Sequence, residues 1–216
     1  MELSGFEIEG PNSRLTLEGA NTNRIPKTEG IYDGNGIAIW SGHHILLADL
    51  KVHDCPGSGL RSNSGDYITI TKNLVYNNTW YTASAPSAIV IAAANSMDTR
   101  DAIKMRITSN TVYDSYNQII FYLNPEQEAN MGEKFEEPCT PTGTRTYACA
   151  DADYIIDGQG VYFTRNTDYT HGKWLFANNV TYGNGINGVV VHHTSNAIVT
   201  NNIAYMNGAT PLSAGR

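Results

Sequence analysis

The residues best suited to chemistry are arginine, histidine and tyrosine side chains that lie within or just after short apolar runs. The main candidates are Arg61, Arg165, Tyr162 and His192, with His193 following in the chain. Removing the C5 proton of a uronate sugar requires a base and a positive group that neutralises the carboxylate. Histidine and tyrosine can serve as the base, and arginine binds carboxylates well. If the fold brings them together, these residues are candidates for the base and for the group that neutralises the carboxylate.

Three aspartates are candidate metal ligands. Asp66, Asp98 and Asp157 could bind Ca²⁺, the ion that such a reaction often uses. The alternative is a role in turns, since Asp66 precedes a strand-like run and Asp157 precedes a glycine. A hydrolase would instead need two facing carboxylates, and Asp157 with Asp54 or Asp66 is the candidate pair.

Aromatic side chains suggest a carbohydrate-binding surface. Trp40, Tyr122 and Trp80 are predicted to stack on sugar rings, while arginine and histidine meet carboxylates. The alternative is an apolar face that the long insertion 123–153, or another chain, covers.

A repeated phrase, Asn-x-x-Tyr-x-Asn, indicates the elements that must position these residues. Copies begin at Asn73, Asn179 and Asn202, and weaker copies begin at Asp49 and Asn110. The short intervals give a repeat of about 23 residues. The interval of 37 residues is interpreted as one repeat with an insertion, and that of 69 residues as three repeats. A fixed period of this length predicts a stacked solenoid.

Each repeat contains short β-branched runs that end at Gly, Asn, Asp or Ser, which predicts strands and turns. Such strands are too short to be stable alone, so their partners must be their copies in neighbouring coils. We therefore predict an all-β, right-handed parallel β-helix, with the recurring Asn forming an inward ladder. Because side chains alternate along a strand, the outward positions are predicted coil by coil. They are Ala38 and Trp40, Arg61 and Asn63, Val90 and Ala92, Ile120 and Tyr122, Tyr162 and Thr164, and Val190 and His192.

The whole chain, 1–216, is predicted to be one domain with a single long insertion at 123–153. That insertion contains Cys139 and Cys149, which we expect to form a local disulfide, with two free thiols as the alternative. Cys55 is expected to be a buried residue at a turn.

Neither end of the sequence has a capping element, which predicts either that the chain is a piece of a longer solenoid or that its ends associate with other copies.

Composition limits the classes of partner that the protein could bind. The net charge of −7 argues against nucleic acid and against an anionic membrane surface. No apolar run is long enough for a membrane span. The sequon Asn77-Asn-Thr79 makes Asn77 a candidate glycosylation site, whereas Asn179 is expected to lie inside the solenoid.

Several segments carry a family resemblance across nearly all of residues 30–208. They are Asp33-Gly-Asn-Gly-Ile-Ala-Ile-Trp, Val52-His-Asp-Cys-Pro-Gly-Ser-Gly, Asp66-Tyr-Ile-Thr-Ile, Asn77-Asn-Thr-Trp-Tyr, Asp157-Gly-Gln-Gly-Val and Asn178-Asn-Val-Thr-Tyr-Gly-Asn-Gly. In this order the segments resemble secreted right-handed parallel β-helix repeat proteins, the pectate-lyase superfamily.

The resemblance implies a secreted protein that acts on or binds polysaccharide. Two hypotheses follow from it. The first is an enzyme, with a uronate polysaccharide lyase favoured over a hydrolase. The second is a non-catalytic extracellular solenoid that binds carbohydrate, adheres or forms filaments. The same scaffold supports both, so the fold alone does not choose between them.

Overall fold

A computed structural model describes residues 1–24, 26–84, 86–121 and 155–210. Its strands form three parallel sheets of six, six and five strands, and each strand pairs with the equivalent strand of the neighbouring coil. The all-β parallel solenoid predicted from the repeat is therefore confirmed. A coil passes through sheet C, then sheet A, then sheet B.

The strands are three to six residues long. Sheet A contains β1 (Glu2–Ser4), β4 (His43–Ala48), β7 (Asp66–Thr71), β10 (Ile103–Thr108), β13 (Lys173–Ala177) and β16 (Ala197–Thr200). Sheet B contains β2 (Glu7–Glu9), β5 (Lys51–His53), β8 (Leu74–Tyr76), β11 (Thr111–Tyr113), β14 (Val180–Tyr182) and β17 (Ile203–Tyr205). Sheet C contains β3 (Ile37–Trp40), β6 (Leu60–Asn63), β9 (Ile89–Ala92), β12 (Val161–Thr164) and β15 (Val189–Val191).

A ladder of buried amides occupies the corner between sheets A and B. Asn73 accepts the backbone N–H of Leu50 at 3.0 Å and donates from Nδ2 to Asn110 Oδ1 at 2.9 Å. Asn110 donates in the same way to Asn179 at 2.9 Å, and Asn179 to Asn202 at 3.0 Å. The predicted inward Asn ladder is confirmed, and it links the coils where the chain turns and no strand pairing is available.

The first copy of the repeat begins at Leu50, not at Asp49 as the sequence suggested. Lys51 pairs with Leu74, so Leu50 takes the place that Asn73 has in the next coil. Asp49 has a left-handed backbone (φ 53°), which the corner requires and which Asp tolerates better than most residues. The polar residue at the corner therefore serves the turn, and an apolar residue fills the ladder position.

The interval of 69 residues between Asn110 and Asn179 is one coil, not three. β10 pairs directly with β13, and β11 pairs with β14, so all the additional residues lie in the insertions between strands. The sequence analysis predicts Ile120 as an outward position of sheet C, but Ile120 lies in the insertion after β11. Tyr122 lies outside the described residues. Long loops close at little extra entropic cost, so insertion length says little about coil number.

The insertion between β2 and β3 contains a short helix that the repeat did not predict. Helix α1 (Leu17–Asn23) begins after Thr16, whose Oγ1 accepts the N–H of Gly19 at 3.0 Å. The alternating Leu15 and Leu17 resemble a strand pattern, but this N-cap starts a helix at Leu17 instead. Two 3₁₀ turns, Asn12–Arg14 and Gly30–Asp33, complete the insertion.

The interior of the solenoid is filled by stacked apolar rows. In sheet A one row consists of Leu47, Ile70, Ile107 and Phe176, all buried. Cys55 is free and buried at a corner, as predicted, and burial raises the pKa of its thiol to about 12.

Five aromatic rings stack along the outer face of sheet B. His53, Tyr76, Tyr113, Tyr182 and Tyr205 follow one another with ring centroids 4.7 to 5.0 Å apart. This is the spacing of adjacent strands, so the recurring Tyr of the repeat stabilises the same register as the Asn ladder.

We expect Asn110→Ala to lower the free energy of unfolding by about 3 kcal/mol, because it leaves buried backbone groups without partners. Urea unfolding measures this loss. The matched control is Asn95→Ala, since the exposed Asn95 side chain has no hydrogen bond to any described residue. Equal, small losses for both variants would contradict a stabilising role for the ladder.

A second prediction concerns His53, which joins the first two coils. When protonated, its Nε2 donates to Glu7 at 2.8 Å and its Nδ1 donates to Asp54 at 2.6 Å. Burial disfavours the charged ring, but these hydrogen bonds outweigh burial and raise the pKa of His53 above 6.5. The charged ring therefore stabilises the fold below about pH 6.5, and this contribution is lost as the pH rises through the raised pKa.

We accordingly expect His53→Gln to destabilise the protein more at about pH 5.5 than at about pH 9, as measured by urea unfolding at the two pH values. An equal loss at both values would show that the ring acts only through stacking.

Candidate functional site

The outer face of sheet C carries Trp40, Arg61, Tyr162 and His192, four of the predicted site residues. Strand pairing aligns them in two rows along the solenoid axis. One row is Ala38, Arg61, Val90, Tyr162 and Val190. The other is Trp40, Asn63, Ala92 and Thr164, with His192 directly after β15. Residues far apart in sequence are thus brought to one surface, in the order predicted except for the coil assigned to Ile120 and Tyr122.

An aromatic residue and an arginine lie together at one end of this face. The Arg61 guanidinium carbon is 5.6 Å from the centre of the Trp40 ring, and Arg61 Nε donates to Asn63 Oδ1 at 2.9 Å. Trp40 is 65% exposed, which is unusual for a residue of this size. The pair presents a flat apolar surface beside a fixed positive group.

A tyrosine–histidine pair lies towards the other end. Tyr162 Oη is 3.1 Å from His192 Nδ1, and Thr164 Oγ1 is 3.3 Å from the same nitrogen. The His193 ring stacks on His192 with centroids 3.8 Å apart. A neutral imidazole in such contacts can accept or donate a proton, depending on its tautomer.

Electrostatic coupling connects the two ends. Burial lowers the pKa of Arg61, the positive charge of Arg165 lowers it further, and Asp33 partly offsets both. Arg165 follows β12 with a left-handed backbone (φ 56°). The positive charges of Arg61 and Arg165 therefore act in the same region, and a region of one sign of charge attracts ligands of the opposite sign.

Two further residues near this site were not singled out from the sequence. Asp33 accepts a hydrogen bond from Thr82, and its charge also acts on Lys27. Lys27 donates to Ser84 Oγ at 3.0 Å, and burial lowers the pKa of its amine. Both residues lie in the insertion between β2 and β3, whereas Thr82 and Ser84 lie in the insertion between β8 and β9. The contacts between the two insertions depend on loop conformations that the repeat pattern does not encode.

The centre of the face is not exposed. Val90 and Ala92 point outward, yet they are only 5% and 0% exposed. The face therefore consists of two accessible parts, one at Trp40 and Arg61 and the other at Tyr162 and His192. This agrees with the alternative that part of the apolar row is covered.

The three candidate calcium ligands do not form one site. Asp66 and Asp98 lie on either side of the buried Lys104, whose Nζ is 3.5 Å from Asp66 Oδ2 and 2.8 Å from Asp98 Oδ1. Both carboxylates therefore already have a cationic partner, and calcium binding by this pair stays a prediction. Asp157 instead accepts from Gln159 Nε2 at 3.0 Å, with a left-handed backbone at the turn.

The Lys104 side chain is 0% exposed and is the centre of a polar network. Asp66 also accepts from Tyr169 Oη at 2.6 Å, and Tyr67 Oη donates to Asp98 at 2.9 Å. Burial disfavours the charged amine, but its hydrogen bond to Asp98 and the two carboxylate charges keep the pKa of Lys104 raised. The Lys104 hydrogen bond in turn lowers the pKa of Asp98. In the described part of the chain, no group of three or more His, Cys, Asp and Glu side chains is arranged to hold a metal.

The remaining predicted residues lie away from the sheet C face or outside the described residues. Trp80 lies at the corner between sheets B and C, donates from Nε1 to the Asp114 carbonyl at 3.0 Å, and contacts Tyr116, so it is apart from the sheet C face. Asn77 is half-buried at a corner with φ 52°. Its glycosylation remains a prediction. Cys139 and Cys149 lie outside the described residues, as does the insertion 123–153.

The carboxylates considered for a hydrolase lie on different parts of the coil. Asp54 contacts His53 at the end of sheet B, Asp66 begins a strand of sheet A, and Asp157 lies at a turn before sheet C. Among the helices of the described residues, none is long and apolar enough to cross a membrane.

Comparison with known proteins identifies the fold. A family model described as a right handed beta helix region matches residues 2–204. No curated protein and no solved structure matches the chain.

We expect Lys104→Met to lower the free energy of unfolding by about 3 to 5 kcal/mol, because it leaves Asp66 buried without its counter-ion. Thermal and urea unfolding measure the loss. The double variant Lys104→Met with Asp66→Asn should recover part of it. An unchanged stability of the single variant, or stabilisation of the native protein by added Ca²⁺, would contradict the assignment of this network to Lys104.

Proposed function

Because the chain belongs to the right-handed β-helix family, we propose that its solenoid binds an acidic polysaccharide on the outer face of sheet C and cleaves it by β-elimination. One observation carries the proposal. Arg61 and Tyr162 occupy equivalent outward positions of one face, and Tyr162 contacts His192 there at 3.1 Å. Positive groups for a carboxylate and a candidate base thus share one surface.

The arginines act on the sugar carboxylate. A uronate carboxylate between Arg61 and Arg165 would relieve their mutual repulsion and form charge-assisted hydrogen bonds. Neutralising the carboxylate makes the neighbouring C5 proton more acidic and stabilises the charge that develops when this proton is removed. Trp40 provides a surface on which a neighbouring sugar ring can stack.

His192 and Tyr162 act on the protons. In the tautomer with its proton on Nδ1, His192 donates to Tyr162 Oη, and Nε2 is the ring nitrogen to which the C5 proton would pass. The C5–H electrons form the double bond between C4 and C5, and the C4–O bond breaks. The leaving oxygen takes the phenolic proton of Tyr162, and the Nδ1 proton of the doubly protonated His192 then passes to the tyrosinate oxygen, so that both side chains are neutral again. Proton exchange with solvent restores the first tautomer of His192. Atoms and charge balance without a further reactant.

The proposal also covers the need for a metal ion and the location of the protein. The two arginines can supply the positive charge for which calcium was predicted. Polysaccharide substrates lie outside cells, so we propose a secreted protein, in agreement with the resemblance described above. A carbohydrate partner would bind through neutral polar and aromatic groups together with the arginines.

A second candidate function is non-catalytic binding of polysaccharide. The observation that favours it is the buried centre of the face at Val90 and Ala92, which separates Arg61 from the Tyr162–His192 pair along the axis. A divided face can hold two segments of a polymer without a complete catalytic arrangement. The predicted end-to-end self-association also stays a prediction.

Activity and binding assays on the same samples distinguish these functions. We expect the protein to generate the ultraviolet absorbance of an unsaturated uronate product from a uronate polysaccharide. His192→Ala should lower this rate by about 100-fold or more, and Arg61→Ala should lower both rate and affinity. The control is His171→Ala, an exposed histidine outside sheet C that should leave the rate unchanged.

Three results would be decisive. Binding without any unsaturated product, across a panel of uronate polymers, would establish the second function. If the protein neither binds nor cleaves any polymer of the panel, both proposed functions are wrong. Equal rates for His192→Ala and His171→Ala would remove His192 from the mechanism.

A further inference from the structure

A groove lies on the outer face of sheet A, around the corner from the proposed site. Its volume is about 300 Å³, at the lower end of the range for small-molecule sites. The residues that line it include His44, Leu46, Tyr67, Thr69 and Arg106, from three successive coils. None of these residues belongs to the sheet C face.

One wall of the groove is rigid. The His44 and Tyr67 rings stack with centroids 4.3 Å apart, and Lys104 Nζ lies 5.1 Å from the centre of the Tyr67 ring. Tyr67 Oη donates to Asp98, which Lys104 also holds. The tyrosine is therefore fixed by contacts with both neighbours and by its hydroxyl. A wall of this kind is organised before a ligand binds.

The floor of the groove carries a positive charge that no carboxylate among the described residues pairs with. The outward row of sheet A contains Leu46, Thr69 and Arg106 in adjacent coils, and Arg106 is exposed. The acidic member of this row is Glu2, three coils from Arg106 and therefore about 14 Å away. The Asp98 charge near the wall is already matched by Lys104 at 2.8 Å. On a protein of net charge −7, this is a locally positive groove.

We propose that the groove is a second saccharide-binding site, which takes one carboxylated sugar unit. Arg106 binds the carboxylate, Thr69 and His44 hydrogen-bond the ring hydroxyls, and Leu46 contacts the apolar face of the ring. The sugar class rests on the proposed function, but the site itself is separate from sheet C. Two sites on adjoining faces would hold two segments of one polymer and so raise its apparent affinity.

The test is heteronuclear NMR titration of full-length protein carrying His192→Ala, which prevents cleavage. The probes are trigalacturonate, the neutral galactotriose and inorganic sulfate. We expect trigalacturonate to shift the Leu46 methyl and Arg106 side-chain signals in a saturable manner. Arg106→Ala should weaken this binding at least tenfold, whereas Arg14→Ala, an exposed arginine in a distant 3₁₀ turn, should not change it.

Failure of this site and failure of the proposed function give different spectra. If trigalacturonate shifts the Trp40 indole signal but not the Leu46 and Arg106 signals, only the second site is wrong. Groove shifts without any change at Trp40 would support the second site and remove the first. Equal binding of sulfate would show a general anion site, and equal binding of galactotriose would show that the carboxylate is not read; either result overturns the proposal.

Discussion

The structure depends on holding each coil in register with the next at corners where strand pairing is interrupted. No strand is longer than six residues, so none is stable without its copies above and below. At the corner between sheets A and B, the Asn ladder satisfies the buried backbone groups of both adjoining coils. A left-handed residue immediately before each ladder position makes the sharp turn. These are Asp49, Lys72, Ser109, Asn178 and Asn201.

The candidate site follows directly from this register. Arg61 and Tyr162 are a hundred residues apart, yet they occupy equivalent outward positions two coils from each other. A shift of one residue in a strand would turn these side chains into the core. The amide ladder and the stacked rings of sheet B therefore support a surface that neither of them contacts. Insertions change in length without disturbing it, because they leave the solenoid between strands.

The parts predicted from sequence are those with a fixed period. Repeated Asn, Tyr and Gly identified the solenoid, the inward ladder and the rows of sheet C. The errors have local physical causes: Asp49 was aligned as a ladder residue because its polar side chain resembles Asn, and the long interval hid insertions. The calcium hypothesis missed Lys104, which enters the interior at an irregularity in strand β10. Contacts between insertions, such as Asp33 with Thr82, have no periodic signal.

The central claim is that this register creates a binding face for an acidic saccharide, and a crystal structure with a bound oligouronate tests it most directly. The account predicts a carboxylate between the guanidinium groups of Arg61 and Arg165, with the next sugar ring close to Trp40 or His192. A bound saccharide that leaves the outer face of sheet C empty would contradict it. So would a structure in which Arg61 and Tyr162 point to different faces.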